Sequence, residues 1–432
     1  MAMLRYLDPS EHYFWLLDQV SSMNFAVIAE FDQPVNVSNI QTALKQLQKQ
    51  QAIFGLTVNQ DTQGRLFLQQ HQQDIFLESV EGHQWQNVIA KALAQRFEPG
   101  QPLIRAFFLQ SEPDSSQTSH SSIALLFNHA IADGRTGMTL LTQWLDLTLD
   151  RMPGHCEAAP IQALHQKLPP GLNLINQPDK LAQHLEQKKA EIRRFGRPDA
   201  LPELTAQESP ATGEISAPRI ISLALSQEQS QSLKQLCQQK QVRIHSALMA
   251  AQLMAIYQNS KQETATLSLT SPVDMRRYFE NRQPELGMHT AMLSSVYQLS
   301  SDSDFWSLAR QADEELHQQL KRDDPAFYYQ LIRPEQIPCT EAALEMFTES
   351  VLKSAPQTLI SNLGVIPEIA DSKVKRMSFA LCPMPFQSLF TAVTHYQGKL
   401  NLNITYDSSR LDSEEAHSVA QRILQQLKQL PE

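Results

Sequence analysis

The chain is short of positive charge: 36 Lys and Arg stand against 46 Asp and Glu, a net of −10, with no basic run long enough to track a phosphate backbone. Nucleic acid is therefore not an expected partner, and attraction to an anionic membrane surface is disfavoured for the same reason. Cysteine is scarce. Cys156, Cys237, Cys339 and Cys382 lie far apart, with no CxxC pair and no histidine at ligand spacing, so no metal is expected and a reducing compartment fits. Long apolar runs are missing too. The most apolar helical stretch, His245 to Tyr257, carries Gln252 in its middle and is too short to cross about 30 Å of hydrocarbon. It reads as a buried core helix, and no transmembrane segment is expected. The start, MAMLRYLDPSEHYFWLL, lacks a basic region followed by an apolar stretch and a cleavage site, which makes a cytoplasmic location the expectation. There is no GxGxxG after a strand, no GxxxxGK followed by Ser or Thr, no HExxH and no GxSxG, which removes the commonest signatures of dinucleotide, nucleotide triphosphate, zinc-protease and α/β-hydrolase chemistry.

What is present is enough chain, 432 residues, for about two to three domains and a sizeable core. Charged residues make up only 19%, and glutamine takes the wet faces of otherwise amphipathic helices, as in LKQLQKQQ and LQQLKQL. The first third alternates. Strand-like Asn24 to Phe31 precedes a helical run over 38–51. Two strand-like runs, 52–58 and 65–69, flank the turn Asp61-Thr62-Gln63-Gly64, and a helix near 84–95 leads into a strand over 104–109. The continuous apolar run Ser122 to Phe127 suits a strand covered on both faces, and a helix over 135–149 follows it. Nine of the 24 prolines then fall between 153 and 218, around one helical run near 180–194, which marks a crossover. Alternation resumes with strands over 219–225, 265–271 and 292–299, helices over 227–238, 304–320 and 340–354, a hairpin pairing 389–396 with 400–406, and a last helix over 413–430. The expected class is α/β (α+β), divided as an N-terminal lobe over 1–175, a crossover over 176–218 and a C-terminal lobe over 219–432.

One segment carries chemistry: Phe127-Asn128-His129-Ala130-Ile131-Ala132-Asp133-Gly134. An apolar strand ends, a tight loop follows and a helix begins, and such loops are where open α/β sheets place ligands. A neutral imidazole at His129 can take a proton from a hydroxyl, amine or thiol near pH 7. Asp133 can fix the loop by pairing with an arginine, and Gly134 allows a close backbone approach or a positive φ. The plainer reading makes Asp133 the N-cap of the helix and His129 a polar residue closing a strand.

The segment resembles the HHxxxDG loop of the CoA-dependent acyltransferase superfamily, which includes chloramphenicol acetyltransferase, peptide-synthetase condensation domains, plant BAHD-type acyltransferases and polyketide-associated alcohol acyltransferases. Further pieces are similar in family order: Leu7-Asp8-Pro9-Ser10-Glu11 at the opening, Phe97 to Arg105 (FEPGQPLIR) upstream of the histidine, Ser271-Pro272-Val273-Asp274-Met275-Arg276, and Glu285-Leu286-Gly287-Met288. Ser361-Asn362-Leu363-Gly364 resembles the SNLG strand end of the alcohol-acyltransferase branch, and Asn403 to Leu411 the family ending. Asn128 stands where the motif usually has its first histidine, and no DFGWG segment of the plant branch is present.

The resemblance implies two chloramphenicol-acetyltransferase-like lobes meeting in a V, as a pseudo-dimer with a tunnel at the interface and His129 near its middle. It implies catalytic residues His129 and Asp133, loop support from Gly134 and Arg276, with Arg276 paired to Asp133, and oxyanion or tunnel residues among Asn128, Ser361, Asn362 and Gly364. The alternative for Ser361 and Asn362 is a strand-ending turn in which Gly364 takes an unusual φ. The other histidines, His245, His289 and His395, read as capping or lining the core. Cys382 and Met384 in ALCPMPF read as packing or as a tunnel wall, and both stay open.

The implied reaction is acyl transfer from an acyl-CoA or phosphopantetheine thioester, used as co-substrate with no tightly bound cofactor, to an alcohol or amine. An acyl-carrier protein is the alternative donor, and a stand-alone monomer is expected. Two other readings remain: a non-catalytic condensation-like protein binding a carrier protein or lipid, and a thioester hydrolase using His129.

Overall fold

The computed structural model describes residues 3–33, 35–71, 74–98, 100–111, 120–151, 168–173, 177–199, 218–279, 285–330, 332–355, 357–369 and 373–429. The first half runs β1 (Met3–Tyr6), α1 (Pro9–Val20), β2 (Asn24–Phe31), α2 (Val37–Gln50), β3 (Leu56–Gln60), β4 (Leu66–Gln70), β5 (Leu77–Glu81), α3 (Trp85–Ala94), β6 (Ile104–Gln110), β7 (Ser121–Asn128) and α4 (Gly134–Thr148). After α5 (Pro178–Phe195) the second half runs β8 (Pro218–Ala224), α6 (Gln227–Gln239), α7 (Ile244–Ser260), β9 (Thr264–Asp274), β10 (Thr290–Ser300), α8 (Phe305–Lys321), α9 (Asp324–Tyr329), α10 (Glu341–Leu352), β11 (Gln357–Val365), β12 (Val374–Leu381), β13 (Gln387–Tyr396), β14 (Lys399–Asp407) and α11 (Ser413–Lys428). The expected mixed α/β class is what the chain adopts. One local expectation is corrected: residues 52–55 form a 3-10 turn, and the strand begins only at Leu56.

The strands form a three-stranded sheet, β1-β4-β3, a five-stranded sheet, β12-β2-β7-β6-β5, and a six-stranded sheet, β10-β9-β11-β13-β14-β8. The two larger sheets belong to the two halves with one exchange. β12, from the second half, pairs antiparallel with β2 at the edge of the first half's sheet, Ala380 opposite Ala26. The first half's core correspondingly takes in Leu359, Phe390 and Tyr396 of the second. Within the crossover, α5 lies against α9 and β10, and the His184 ring stacks on Phe327 at 4.7 Å.

The continuous apolar run of β7 has a direct cause. Ile123, Leu125 and Phe127 face the core beneath α2 and α4, whereas Ala124 and Leu126 face α3 through Ile89 and Leu93, so all eight residues are buried. A strand covered on both sides has no wet face to alternate with. In the second half, α7 is covered in the same way, and its Gln252 is fully buried with Oε1 accepting from Thr391 Oγ1 at 2.6 Å. That bond satisfies the oxygen of the one amide in the apolar stretch, while its buried Nε2 makes no hydrogen bond among the described residues. Among the described residues no helix is long and apolar enough to cross a membrane.

Candidate active site

β7 delivers the loop that carries His129. Asn128, its last residue, lies opposite Asn24 of β2, and its Oδ1 accepts from the Ala130 amide at 2.9 Å, a local turn that takes the chain out of the sheet. The next amide, of His129, donates to the Met23 carbonyl at 3.0 Å. The imidazole is stacked on Phe14 (centroids 4.4 Å apart) and tilted against Phe25 (4.9 Å), with 8% of the residue exposed and Nδ1 sealed from solvent. Burial between two aromatic rings disfavours the imidazolium and pushes its pKa down to about 4, a shift that the residue's own carbonyl and the Asp133 charge only partly oppose. The ring is therefore neutral at pH 7.

Four residues on, the opposite arrangement holds. Asp133 caps α4, Oδ1 accepting from the Thr136 amide at 2.8 Å. Arg276 grips both oxygens, NH1 to Oδ2 at 2.8 Å and NH2 to Oδ1 at 3.3 Å, and the His289 amide donates to Oδ2 at 3.0 Å. Burial alone would raise the Asp133 pKa, but the Arg276 guanidinium holds the carboxyl well below the usual carboxylate range. Arg276 spends its other donors nearby: NH1 also on Asp274 Oδ1 (3.0 Å), NH2 on Thr136 Oγ1 (2.8 Å) and Nε on the Glu285 carbonyl (2.8 Å). The Gly287 carbonyl accepts from Thr136 Oγ1 at 2.7 Å and from the Asp133 amide at 3.2 Å. The cluster thus joins the start of α4 to the segment between β9 and β10.

A cavity of ≈ 100 Å³ opens beside the ring, floored by Phe25, Phe379 and Leu381 of the first half's sheet and roofed by Leu359 and Phe390. Ser361 and Asn362 line it from β11. The sheet parts at this point. β11 pairs with β9 only at Thr358 and Leu359, so residues 361–365 have β13 alone as a neighbour. Asn362 Oδ1 accepts from the Gly364 amide at 2.8 Å, and Gly364 takes φ +73°, a turn that favours glycine. Asn362 also lines a second cavity of ≈ 960 Å³ between α6 and the β13–β14 hairpin, so the two spaces meet at this residue. Arg135 and Asp274 also line the first cavity, Arg135 Nε lying 2.9 Å from Asp274 Oδ2.

Of the residues singled out from sequence, His129, Asp133, Gly134, Arg276, Ser361 and Asn362 line one cavity. Asn128 stays behind it, fully buried in the loop turn, and Gly364 belongs to the second cavity. Gly134 has no positive φ. Its role is the close approach instead, since a Cβ there would stand 3.2 Å from Leu363 Cδ2. His245 Nε2 lies 2.9 Å from Ser271 Oγ, and Met384 lines the cavity while Cys382 packs on the opposite face of the sheet. Missed from sequence were Phe14 and Thr136, and Gly287 was singled out only as part of the Glu285-Leu286-Gly287-Met288 segment, without the role of its carbonyl. Thr136 has a signal, three residues after the cap, but backbone groups such as the Gly287 carbonyl have none.

Comparison with known proteins follows the same lines. A family model described as phthiocerol/phthiodiolone dimycocerosyl transferase C-terminus matches residues 215–373. A sequence comparison with curated proteins finds no match. Among solved structures, the chain is similar to the TRI3 trichothecene 15-O-acetyltransferase of Fusarium sporotrichioides (13% identity, 98% of this chain and 95% of that one, TM-score 0.73). It is similar to the first condensation domain of the calcium-dependent antibiotic synthetase (14%, 98% and 96%, 0.68) and to polyketide synthase associated protein 5 of Mycobacterium tuberculosis (13%, 100% and 99%, 0.63). The two-lobed fold along almost the whole chain, together with the family match in its second half, bears out the resemblance read from the motifs at the level of the CoA-dependent acyltransferase and condensation-domain superfamily.

Proposed function

We propose that this protein is an acyltransferase that moves an acyl group from a thioester, carried by CoA or by the phosphopantetheine of an acyl-carrier protein, to a hydroxyl or amine of a small acceptor. The reading assigns the His129 loop to a lobe over 1–175 and the SNLG strand to a lobe over 219–432. The observation that carries it is the neutral, dehydrated imidazole of His129 beside an apolar cavity lined by Ser361 and Asn362. With Nδ1 sealed inside the protein, Nε2 is the nitrogen left to act.

Nε2 takes the proton from the acceptor as its oxygen or nitrogen attacks the thioester carbonyl. The oxyanion of the tetrahedral intermediate accepts hydrogen bonds from Ser361 Oγ and from Asn362 Nδ2, the latter oriented because its carbonyl oxygen is held by Gly364. The carbon–sulfur bond then breaks, and the imidazolium returns the proton to the thiolate. A low imidazole pKa weakens the base but makes the imidazolium a strong acid for this second step. Asp133 takes no proton: with its oxygens committed to Arg276, Thr136 and His289, it holds the loop.

The test is thiol release from a panel of acyl-CoAs, with and without simple alcohols and amines. Release that depends on the acceptor and falls at least about 10²-fold in His129→Ala is expected. Full activity in that variant overturns the mechanism. Release that needs no acceptor makes the protein a thioester hydrolase.

A further inference from the structure

Asp18, in the last turn of α1, is a carboxyl group in a place that disfavours its charge twice. It is 2% exposed, and it stands at the C-terminal end of a helix, where the dipole opposes an anion. Burial raises its pKa to about 6, although the Met23 amide, the Arg96 guanidinium and the Asn128 side chain all favour the carboxylate. A group that burdens the fold in this way points to a task other than packing. Its side-chain contacts lead to His129. Oδ1 accepts from the Met23 amide at 2.8 Å, and the Met23 carbonyl accepts from the His129 amide at 3.0 Å. On the other side stands Asn128, the residue before the histidine. Its Oδ1 is held by the Ala130 amide, while its Nδ2 is buried with no hydrogen-bond partner among the described residues. The carboxylate whose charge this carboxamide favours is that of Asp18. The same helix presses Phe14 against the imidazole.

We infer that Asp18 is a positioning residue for His129, gripping the loop through the Met23 amide on one side and the Asn128 carboxamide on the other, so that the imidazole stays aimed at the cavity. The inference rests on the acyl-transfer reading, in which His129 is the base. Asp18 is not among the residues that line the cavity, so it acts through the loop and not on a substrate. A carboxylate suits the task because it only accepts, and a backbone N–H and a carboxamide NH2 can share it. The cation nearest to it leaves it free for them: Arg96, exposed beyond α3, donates to the Asp18 and Gln19 backbone carbonyls at 3.2 and 3.3 Å. The charge that acts on the imidazole itself is Asp133, which favours the imidazolium.

The experiment exchanges the two side chains and measures thiol release from acyl-CoA. In Asp18→Asn the new carboxamide keeps the Met23 bond through its oxygen but turns an NH2 toward the NH2 of Asn128. In Asn128→Asp two buried carboxylates face each other. The double exchange, Asp18→Asn with Asn128→Asp, again sets one acceptor against one donor. Each single variant is expected to lose at least about tenfold in kcat with KM within about twofold, since a misplacement of about 1 Å is enough to lose about 10²-fold. The exchange is expected to recover to within about threefold of wild type. Where Asn128→Asp does not fold, Asp18→Asn against the exchange decides. Single variants with full kcat, or an exchange no better than the poorer of them, overturn the inference. If no thioester turns over, the acyl-transfer reading has failed, and NMR titration of the His129 ring decides the positioning alone. Loss of the Asp18 charge by itself lowers an imidazole pKa, whereas a ring loosened from between Phe14 and Phe25 gains water and rises. The midpoint is expected to move from about 4 toward 6.5 in Asp18→Asn and to return in the exchange. A midpoint in Asp18→Asn that is unchanged or lower overturns it.

Discussion

At Asp133 both carboxylate oxygens are taken, by a guanidinium and two backbone amides, and the charge persists inside the protein because each lone pair has a donor. At His129, on the same loop, burial expels the charge instead: the ring lies between Phe14 and Phe25 and remains neutral. The two sites are equally buried and use their polarity oppositely. The first is a brace whose groups satisfy one another. The second leaves a polar nitrogen unused in the resting protein, which is what a group waiting for a substrate proton requires. The arrangement also separates their roles, since a carboxylate gripped by Arg276 has no oxygen left to hydrogen-bond an imidazolium and favours it only through its charge.

The largest effect that breaks this comparison is expected at the brace. Arg276→Met leaves the Asp133 carboxylate buried without its cation, a loss of about 3–5 kcal/mol in chemical denaturation. A loss below about 1 kcal/mol would mean that the ion pair does not hold the loop. Next comes acid. His129 titrates near 6.5 in the unfolded chain and at about 4 in the folded one, so its contribution to stability is fully present above about pH 6.5. It is lost as pH falls toward 4, because the unfolded chain then binds a proton that the folded one refuses. The shift corresponds to on the order of 3 kcal/mol. Asp18, raised to about 6 by burial, acts with the opposite sign over part of the same window. The measurement is therefore the difference in unfolding free energy between wild type and His129→Phe from pH 7 to 4, which should move in the variant's favour by on the order of 3 kcal/mol. Activity should likewise hold to below pH 5. An acid limb at 6.5 in kcat/KM would mean an imidazole open to water.

The sequence was informative where a local pattern has one cause. The run over 122–127 marks a strand because both its faces are covered, and the hairpin of β13 and β14 turns at Gln397-Gly398, both with positive φ. It was silent where pairing is remote. Nothing near Val374 to Leu381 says that this strand joins β2, more than 340 residues earlier, instead of its own half's sheet. β5, LESVE with half-exposed residues, lacks the alternation that would reveal it, and α9 has only six residues. At the site, His129 and Asp133 were legible as a strand, loop and helix cap. The pairing of Asp133 with Arg276 came from motif resemblance, since no periodicity links positions 143 apart. The Phe14 stack, which accounts for the neutral ring, carries no signal of its own in an apolar helix.

The smallest expected effect sharpens the contrast most. His129→Phe at pH 7 removes a buried ring nitrogen with no partner and replaces it with carbon, and the adjoining ≈ 100 Å³ cavity gives the larger ring room. An unsatisfied buried polar atom is a cost to the folded state. The variant should therefore be as stable as wild type or more so, by up to about 1 kcal/mol, while losing turnover as fully as His129→Ala. Equilibrium denaturation beside the thiol-release assay checks it. A clear loss of stability would show that the imidazole is held by bonds, as Asp133 is, and would remove the ground for treating the two ends of this loop as brace and base.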